Sequence, residues 1–177
     1  MVNNKTHKII LTEKEIKDCR LFAIRVVKET YNRFNKKMSE REKRIFIGKM
    51  GEIAFLKFLN ENNKFVDTKD IYKVFLGETN VDKFDFITKK NKKIDIKTAY
   101  KNFHKRIIIP WDQFEKNNAK DYYVGTKLNS DLKTVDILGY TTKNKLIQNG
   151  KLNFGEGLGY YEFLNNLFDI KELLEEI

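Results

Sequence analysis

Two short segments carry acids where metal-assisted chemistry could be done. Phe84-Asp85-Phe86-Ile87 and Ile94-Asp95-Ile96-Lys97 alternate apolar with charged residues, the pattern of half-buried strands. The polar run Lys89-Lys90-Asn91-Lys92 between them is turn-forming, so the pair reads as a β-hairpin. Side chains alternate sides along a strand, so Phe84, Phe86, Ile94 and Ile96 must share the buried face. Pairing Phe84 with Ile96 and Phe86 with Ile94 sets Asp85 opposite Asp95; a slip of two residues sets Asp85 opposite Lys97. In either register Asp85, Asp95 and Lys97 project together from the other face. Two facing carboxylates repel unless a cation sits between them. A hard divalent ion such as Mg²⁺ prefers carboxylate and carbonyl oxygens. Lys97 beside them could stabilise charge developing on a phosphate or position a water. A solvated strand face with lysines neutralising the acids is the other reading of the same residues.

Upstream, Gly48-Lys49-Met50-Gly51-Glu52 places a further carboxylate in an otherwise strong helical pattern. Each helical glycine costs about 1 kcal/mol relative to alanine. That cost suggests close approach of a backbone or ligand, or helix packing alone. Gly48 and Glu52 are four residues apart and share one side of the helix.

These residues need elements to hold them. Thr12-Glu13-Lys14-Glu15 is a capping box, and Ile16, Leu21, Ile24, Val27 and Tyr31 continue it as a helix over residues 12–37. Ser39-Glu40-Arg41-Glu42 predicts the cap of a second helix running to about Leu59, with Phe46, Met50, Ile53 and Phe58 on its apolar face. Ile71-Tyr72-Lys73-Val74-Phe75-Leu76 reads as a strand. Pro110 suits the first turn of a short helix through Lys116. Strands are expected at residues 122–126 and 135–140, and Asp169-Ile170-Lys171-Glu172 opens a C-terminal helix. The order predicts a mixed α/β domain whose central sheet is covered on both sides.

Composition narrows the function classes. The chain has 177 residues, 41% hydrophobic, which suits one domain with a core over residues 1–177. No apolar run approaches the roughly 18 residues of a membrane span. Ile9-Ile10-Leu11 is too short for a signal-peptide core, so neither secretion nor membrane insertion is expected. The single Cys19 excludes an internal disulfide and a cysteine-cluster zinc site, and reads as a buried helix residue in a reducing, cytoplasmic setting. The net charge of +10 favours a polyanion, nucleic acid first. A lysine-rich composition could equally follow from an AT-rich genome. His104 lacks a partner at ligand spacing, and His7 sits near the N-terminus, expected to be mobile. There is no phosphate-binding loop, and Gly155-Glu156-Gly157-Leu158-Gly159 fails the dinucleotide fingerprint and reads as a flexible loop. Neither serine, Ser39 nor Ser130, sits in a nucleophile elbow.

Taken together, Glu52 behind Gly48 and Gly51, Asp85 in Phe84-Asp85-Phe86, and Asp95-Ile96-Lys97 resemble the PD-(D/E)XK nuclease superfamily. The resemblance covers residues 39–140, including the short helix at Trp111-Asp112-Gln113-Phe114 and the strand at Asp121-Tyr122-Tyr123-Val124. It departs from the pattern in having Phe84 where a proline precedes the first aspartate, and Asp95 where many members have glutamate. It implies a restriction-endonuclease-like αβββαβ core over residues 39–140, with an N-terminal helix at 12–37 and a C-terminal extension at 141–177. It implies Mg²⁺-dependent hydrolysis of DNA, with Mn²⁺ able to substitute. Asp85, Asp95 and the carbonyl of Ile96 would hold the metal, with Glu52 bound directly or through water, and Lys97 would orient the water or stabilise the transition state. Double-stranded DNA is the implied partner, often with a homodimer.

The run Lys101-Asn102-Phe103-His104-Lys105-Arg106 follows the motif and is expected to meet phosphates. Lys49, Lys101, His104, Lys105, Arg106 and Gln113 are therefore the expected DNA contacts, with Gln113 also within reach of the site. Phe103 and Trp111 could stack on bases, although aromatics near apolar Ile107-Ile108-Ile109 read more readily as core. Two alternatives stand beside the nuclease. One is a non-catalytic nucleic-acid-binding protein docking Arg41, Lys43 and Arg44 on phosphates. The other is a nuclease of the same fold acting on branched DNA or RNA.

Overall fold

The computed structural model describes residues 6–29, 37–74, 85–115 and 119–177. A five-stranded mixed sheet and a separate three-stranded sheet organise the chain. The first strand, β1 (His7–Ile10), is followed by helix α1 (Glu13–Val26), whose Thr12–Glu15 capping box forms as expected. Its buried side chains are Cys19, Phe22 and Ala23, whereas Leu21 and Ile24 face outward. The expected extension of this helix over residues 30–36 lies outside the described residues.

Helix α2 (Met38–Glu61) is the long central helix, buried along most of its length. Its N-cap is Lys37, without a side-chain cap bond, so the expected box at Ser39 and Glu42 does not form. Gly51 shows why the helix can lie so close to the sheet. A Cβ there would stand 2.0 Å from Thr98 Oγ1 and 2.8 Å from Thr126 Oγ1, so this glycine serves helix packing. Nothing lies within 4 Å of a Cβ at Gly48. Gly51→Ala should therefore destabilise the fold by about 1–3 kcal/mol through overpacking, whereas Gly48→Ala should be neutral or stabilising; urea unfolding of both variants checks the contrast.

Strand β2 (Phe86–Ile87) pairs antiparallel with β3 (Lys93–Ala99), which pairs parallel with β5 (Tyr122–Leu128). Strand β6 (Thr134–Thr142) pairs antiparallel with β5, and β1 closes the other edge on β6. Thus the N-terminal segment expected to be mobile is an edge strand, with the His7 ring 5.1 Å from that of Phe58. Residues 71–74, expected as strand, form turn and irregular structure; Phe75 and Leu76 lie outside the described residues.

The second sheet has the order β4 (Arg106–Pro110), β8 (Leu158–Phe163), β7 (Lys151–Asn153). Strands β7 and β8 form a hairpin whose connection holds residues 155–157 as a loop, with Phe154 N donating to Gly157 O, while Leu158 and Gly159, expected in that loop, begin β8. Short helix α3 (Trp111–Phe114) follows β4 with Pro110 at its N-cap. Helix α4 (Lys143–Asn149) contributes Leu146 to the smaller core, with Ile107, Ile109, Phe114, Tyr123, Tyr160 and Leu167. The larger core joins α1, α2 and helix α5 (Ile170–Leu174) to the opposite face, through Ile94, Ile96, Val124 and Ile137. The architecture is therefore a mixed α/β fold with a five-stranded sheet flanked by helices. No described helix is long and apolar enough to cross a membrane.

Candidate active site

The hairpin expected from alternation forms in the first of the two registers. Phe86 pairs with Ile94 and Ile87 with Lys93. Thr88 and Lys92 close the turn, Thr88 N donating to Lys92 O at 2.9 Å. Phe84, the other half of the expected pairing, lies outside the described residues. Phe86, Ile94 and Ile96 are buried against α2, which turns Asp95 and Lys97 to the other face.

Asp85 sits at the mouth of this hairpin. Its backbone N–H donates to Ile94 O at 3.0 Å, and its Oδ2 accepts from the Ile96 N–H at 2.6 Å. The N–H and C=O of one strand residue point to the same side, so the Ile96 carbonyl also faces the β2 side of β3. Asp95 Oδ2 lies 2.6 Å from Lys97 Nζ, in an ion pair whose side chains are 16% and 23% exposed. That same Asp95 oxygen is buried without a donor in hydrogen-bond geometry, so the contact with Lys97 is electrostatic. Lys97 Nζ also donates to Gln113 Oε1 at 3.5 Å. Gln113 is held there because Phe114 stacks on Tyr123 at 6.2 Å and packs on Tyr160 at 4.0 Å, pinning α3 to both sheets. Gln113 thus belongs with the charged cluster.

Burial, and then the charges of Glu52 and Asp95, hold the Asp85 carboxyl well above the usual carboxylate range. The Ile96 N–H and Lys97 oppose this without cancelling it. Asp85, at the start of the hairpin, therefore feels the acids of both α2 and β3. Glu52 and Asp95 stand 43 positions apart in sequence, and only the fold brings them together. The donor chemistry fits a hard divalent cation in two respects: carboxylates whose repulsion a cation would relieve, and an Asp95 oxygen lacking a directed donor. Among the described residues, however, no three such side chains lie close enough to form a ready-made metal cage. Asp85, Asp95 and the Ile96 carbonyl are the groups that fit; Glu52 acts here through its charge.

Glu52 is held elsewhere. Its carboxylate accepts a short hydrogen bond from Lys49 Nζ, which also donates to Ile71 O at 2.8 Å and lies 4.3 Å from the Phe22 ring centroid. Lys49 is buried to 4% exposure, which corrects its assignment as a DNA contact: its ammonium points inward between α1, α2 and the 71–72 turn. Cys19 borders this pocket as a buried thiol pushed up to about 12 by burial, and so stays protonated.

The basic run divides as well. Lys101, Lys105 and Arg106 are exposed, consistent in position with phosphate contact. His104 Nδ1 accepts from Tyr100 N at 3.4 Å, and burial with neighbouring Lys101 and Arg44 lowers its pKa. His104 is thus neutral at pH 7 and holds the turn rather than offering a cation. Arg44 pairs with Glu156 at 2.9 Å. Lys120 was not among the expected residues, although its ammonium interacts with Asp95, Asp85 and Lys97. Its backbone N–H is fixed on the Tyr123 hydroxyl at 2.9 Å. Lys120 precedes a strand that runs parallel to β3, a neighbour that no local pattern reveals. No family model, curated protein or solved structure matches this chain.

Proposed function

We propose that the chain is a metal-dependent nuclease of the PD-(D/E)XK type that hydrolyses phosphodiester bonds in DNA. The observation that carries this reading is the convergence of Asp85, Asp95 and Lys97 at one hairpin, with the charge of Glu52 reaching Asp85. A resident Mg²⁺, or Mn²⁺ in its place, would supply a water of lowered pKa and offset charge on the phosphate. Asp85 and Asp95 would hold it with the Ile96 carbonyl, and Glu52 would add its charge directly or through water. Lys97, steadied by Asp95 and Gln113, would orient the attacking water or stabilise the growing negative charge. The helix, hairpin and parallel β3–β5 pair support a restriction-endonuclease-like core, and a homodimer would let two such sites act on two strands. A cytoplasmic location fits a nuclease of DNA.

The second reading is a nucleic-acid-binding protein without chemistry. It is favoured by the Lys49–Glu52 pair and by the lack of a ready-made three-ligand cage among the described residues. Incubating linear DNA, branched DNA and RNA with the protein in Mg²⁺ and in EDTA separates the readings. Cleavage that stops in EDTA supports the nuclease and identifies its substrate; no cleavage of any of the three supports the binding protein.

The net charge of +10 adds a quantitative expectation for either reading. DNA affinity should fall linearly with salt on log–log axes, at about −0.9 per neutralised phosphate. Replacing Lys105 and Arg106 by alanine should flatten that slope by roughly 2 units without changing Mn²⁺ affinity. Fluorescence anisotropy across a salt series measures it.

A further inference from the structure

The outer face of the small sheet carries aromatic side chains that the core does not use. Along β4 and β8 the inward residues Ile107, Ile109 and Tyr160 are buried at 3%, 1% and 8% exposure. The outward ones, by strand alternation, include Arg106, Tyr161 and Phe163, with Arg106 directly paired to Phe163. A solvated strand face ordinarily carries polar side chains. Here Phe163 is 38% exposed, and the Arg106 guanidinium lies 5.2 Å from its ring centroid and 5.8 Å from that of Tyr161. One turn upstream Phe103 is 71% exposed, with Lys101 Nζ 5.2 Å from its ring centroid. The expectation that Phe103 is core is thereby corrected.

We propose that the Arg106, Tyr161 and Phe163 face, together with the exposed Phe103 and Lys101 of the turn preceding β4, seats an unpaired nucleic-acid strand, its bases stacked on the rings and its phosphates on Lys101 and Arg106. Exposed rings interleaved with cations match both halves of such a strand. Aromatic faces accept bases without regard to sequence, and the cations track the backbone. A duplex meets only the second requirement, because its bases are already stacked on one another. The same sheet leads to the charged cluster: β4 runs directly into α3, whose Gln113 meets Lys97. Five strand residues span only about 17 Å, within the reach of a bound segment of several nucleotides. The seat deepens the nuclease reading by naming a substrate with unpaired nucleotides, but its binding test needs no cleavage, so the two can fail separately.

The test is fluorescence anisotropy of the full chain in EDTA with labelled dT12, labelled rU12 and a 12-base-pair duplex at one salt concentration. At least one single strand should bind more tightly than the duplex, and comparison of the two identifies the sugar preferred. Phe103→Ala and Phe163→Ala should each weaken single-strand binding by about tenfold, Phe163→Tyr should retain it, and Phe163→Leu should lose it although apolar bulk is kept. Phe103 is so exposed that its replacement leaves the fold intact, so unchanged binding by Phe103→Ala overturns the proposal whatever happens at position 163. Duplex binding as tight as single-strand binding overturns it too, as does capture by phosphatidylglycerol vesicles in place of either oligonucleotide.

Discussion

Lys97→Ala is expected to slow single-turnover DNA cleavage by about 10²-fold or more, the scale for losing one preorganised charge-stabilising group. Mn²⁺ binding should persist or tighten in the same variant, because removing the ammonium frees Asp95 from its 2.6 Å ion pair. Asp95→Asn should behave in the opposite way, losing metal binding and cleavage together while keeping the side chain's size. Glu52→Gln should fall between them, since its charge reaches the cluster while its carboxylate is bound to Lys49. Titration calorimetry with Mn²⁺ alongside rapid-quench cleavage distinguishes the three. If Lys97→Ala lost metal affinity as fully as Asp95→Asn, the lysine would be a structural partner of the acid and the assigned roles would be wrong.

A pH-dependent effect on stability is expected at Asp85. Its folded carboxyl holds a proton more tightly than an unfolded one, whose pKa is about 3.9. Between those two values the folded state carries the extra proton, so stability falls as pH rises through the window. The contribution of Asp85 to the stability of the metal-free protein should therefore shrink from about pH 4 upward, a change read as wild type against Asp85→Asn because the depressed His104 acts in the opposite sense as pH rises. Asp85→Asn keeps an oxygen acceptor for the Ile96 N–H but removes the charge, so it should flatten this fall and stabilise the metal-free protein at pH 7. The gain should be on the order of 1–3 kcal/mol, the range of single buried polar changes. Mg²⁺ should raise the melting temperature of the wild type at pH 7 and leave that of Asp85→Asn nearly unchanged. Calorimetric melting at several pH values, with Mg²⁺ and with EDTA, reads all of this. The same pH dependence of stability in the wild type and in Asp85→Asn, with no response of either to Mg²⁺, would remove Asp85 from the metal site.

What could be read from residues alone depended on the range of the interactions involved. The 85–97 hairpin was legible because one strand period governs both arms, and its turn is a polar run that includes Asn91, which takes φ 60°. The Thr12 cap was legible for the same local reason. The second sheet was not, because Ile107-Ile108-Ile109 carries no alternation and becomes a strand only through pairing with β8. The N-terminal strand likewise depends on β6, more than 120 positions away. Lys49 illustrates a charge whose place was set by packing. Spaced three residues from Glu52 on a mostly buried helix, it pairs inward, and that spacing was the available signal. Lys120 gave none, because its approach to Asp95 follows from the parallel register of β3 and β5.

Asp85 and Asp95 are proposed to hold a cation whose bound water attacks the DNA backbone. Cleavage of one plasmid by the wild type, Asp85→Asn and Asp95→Asn in Mg²⁺, with an EDTA arm for the wild type, tests it most directly. The wild type should nick the plasmid in Mg²⁺ and not in EDTA, and neither variant should nick it despite native circular dichroism spectra. Wild-type rates in either aspartate variant, or undiminished cutting in EDTA, would contradict the proposal.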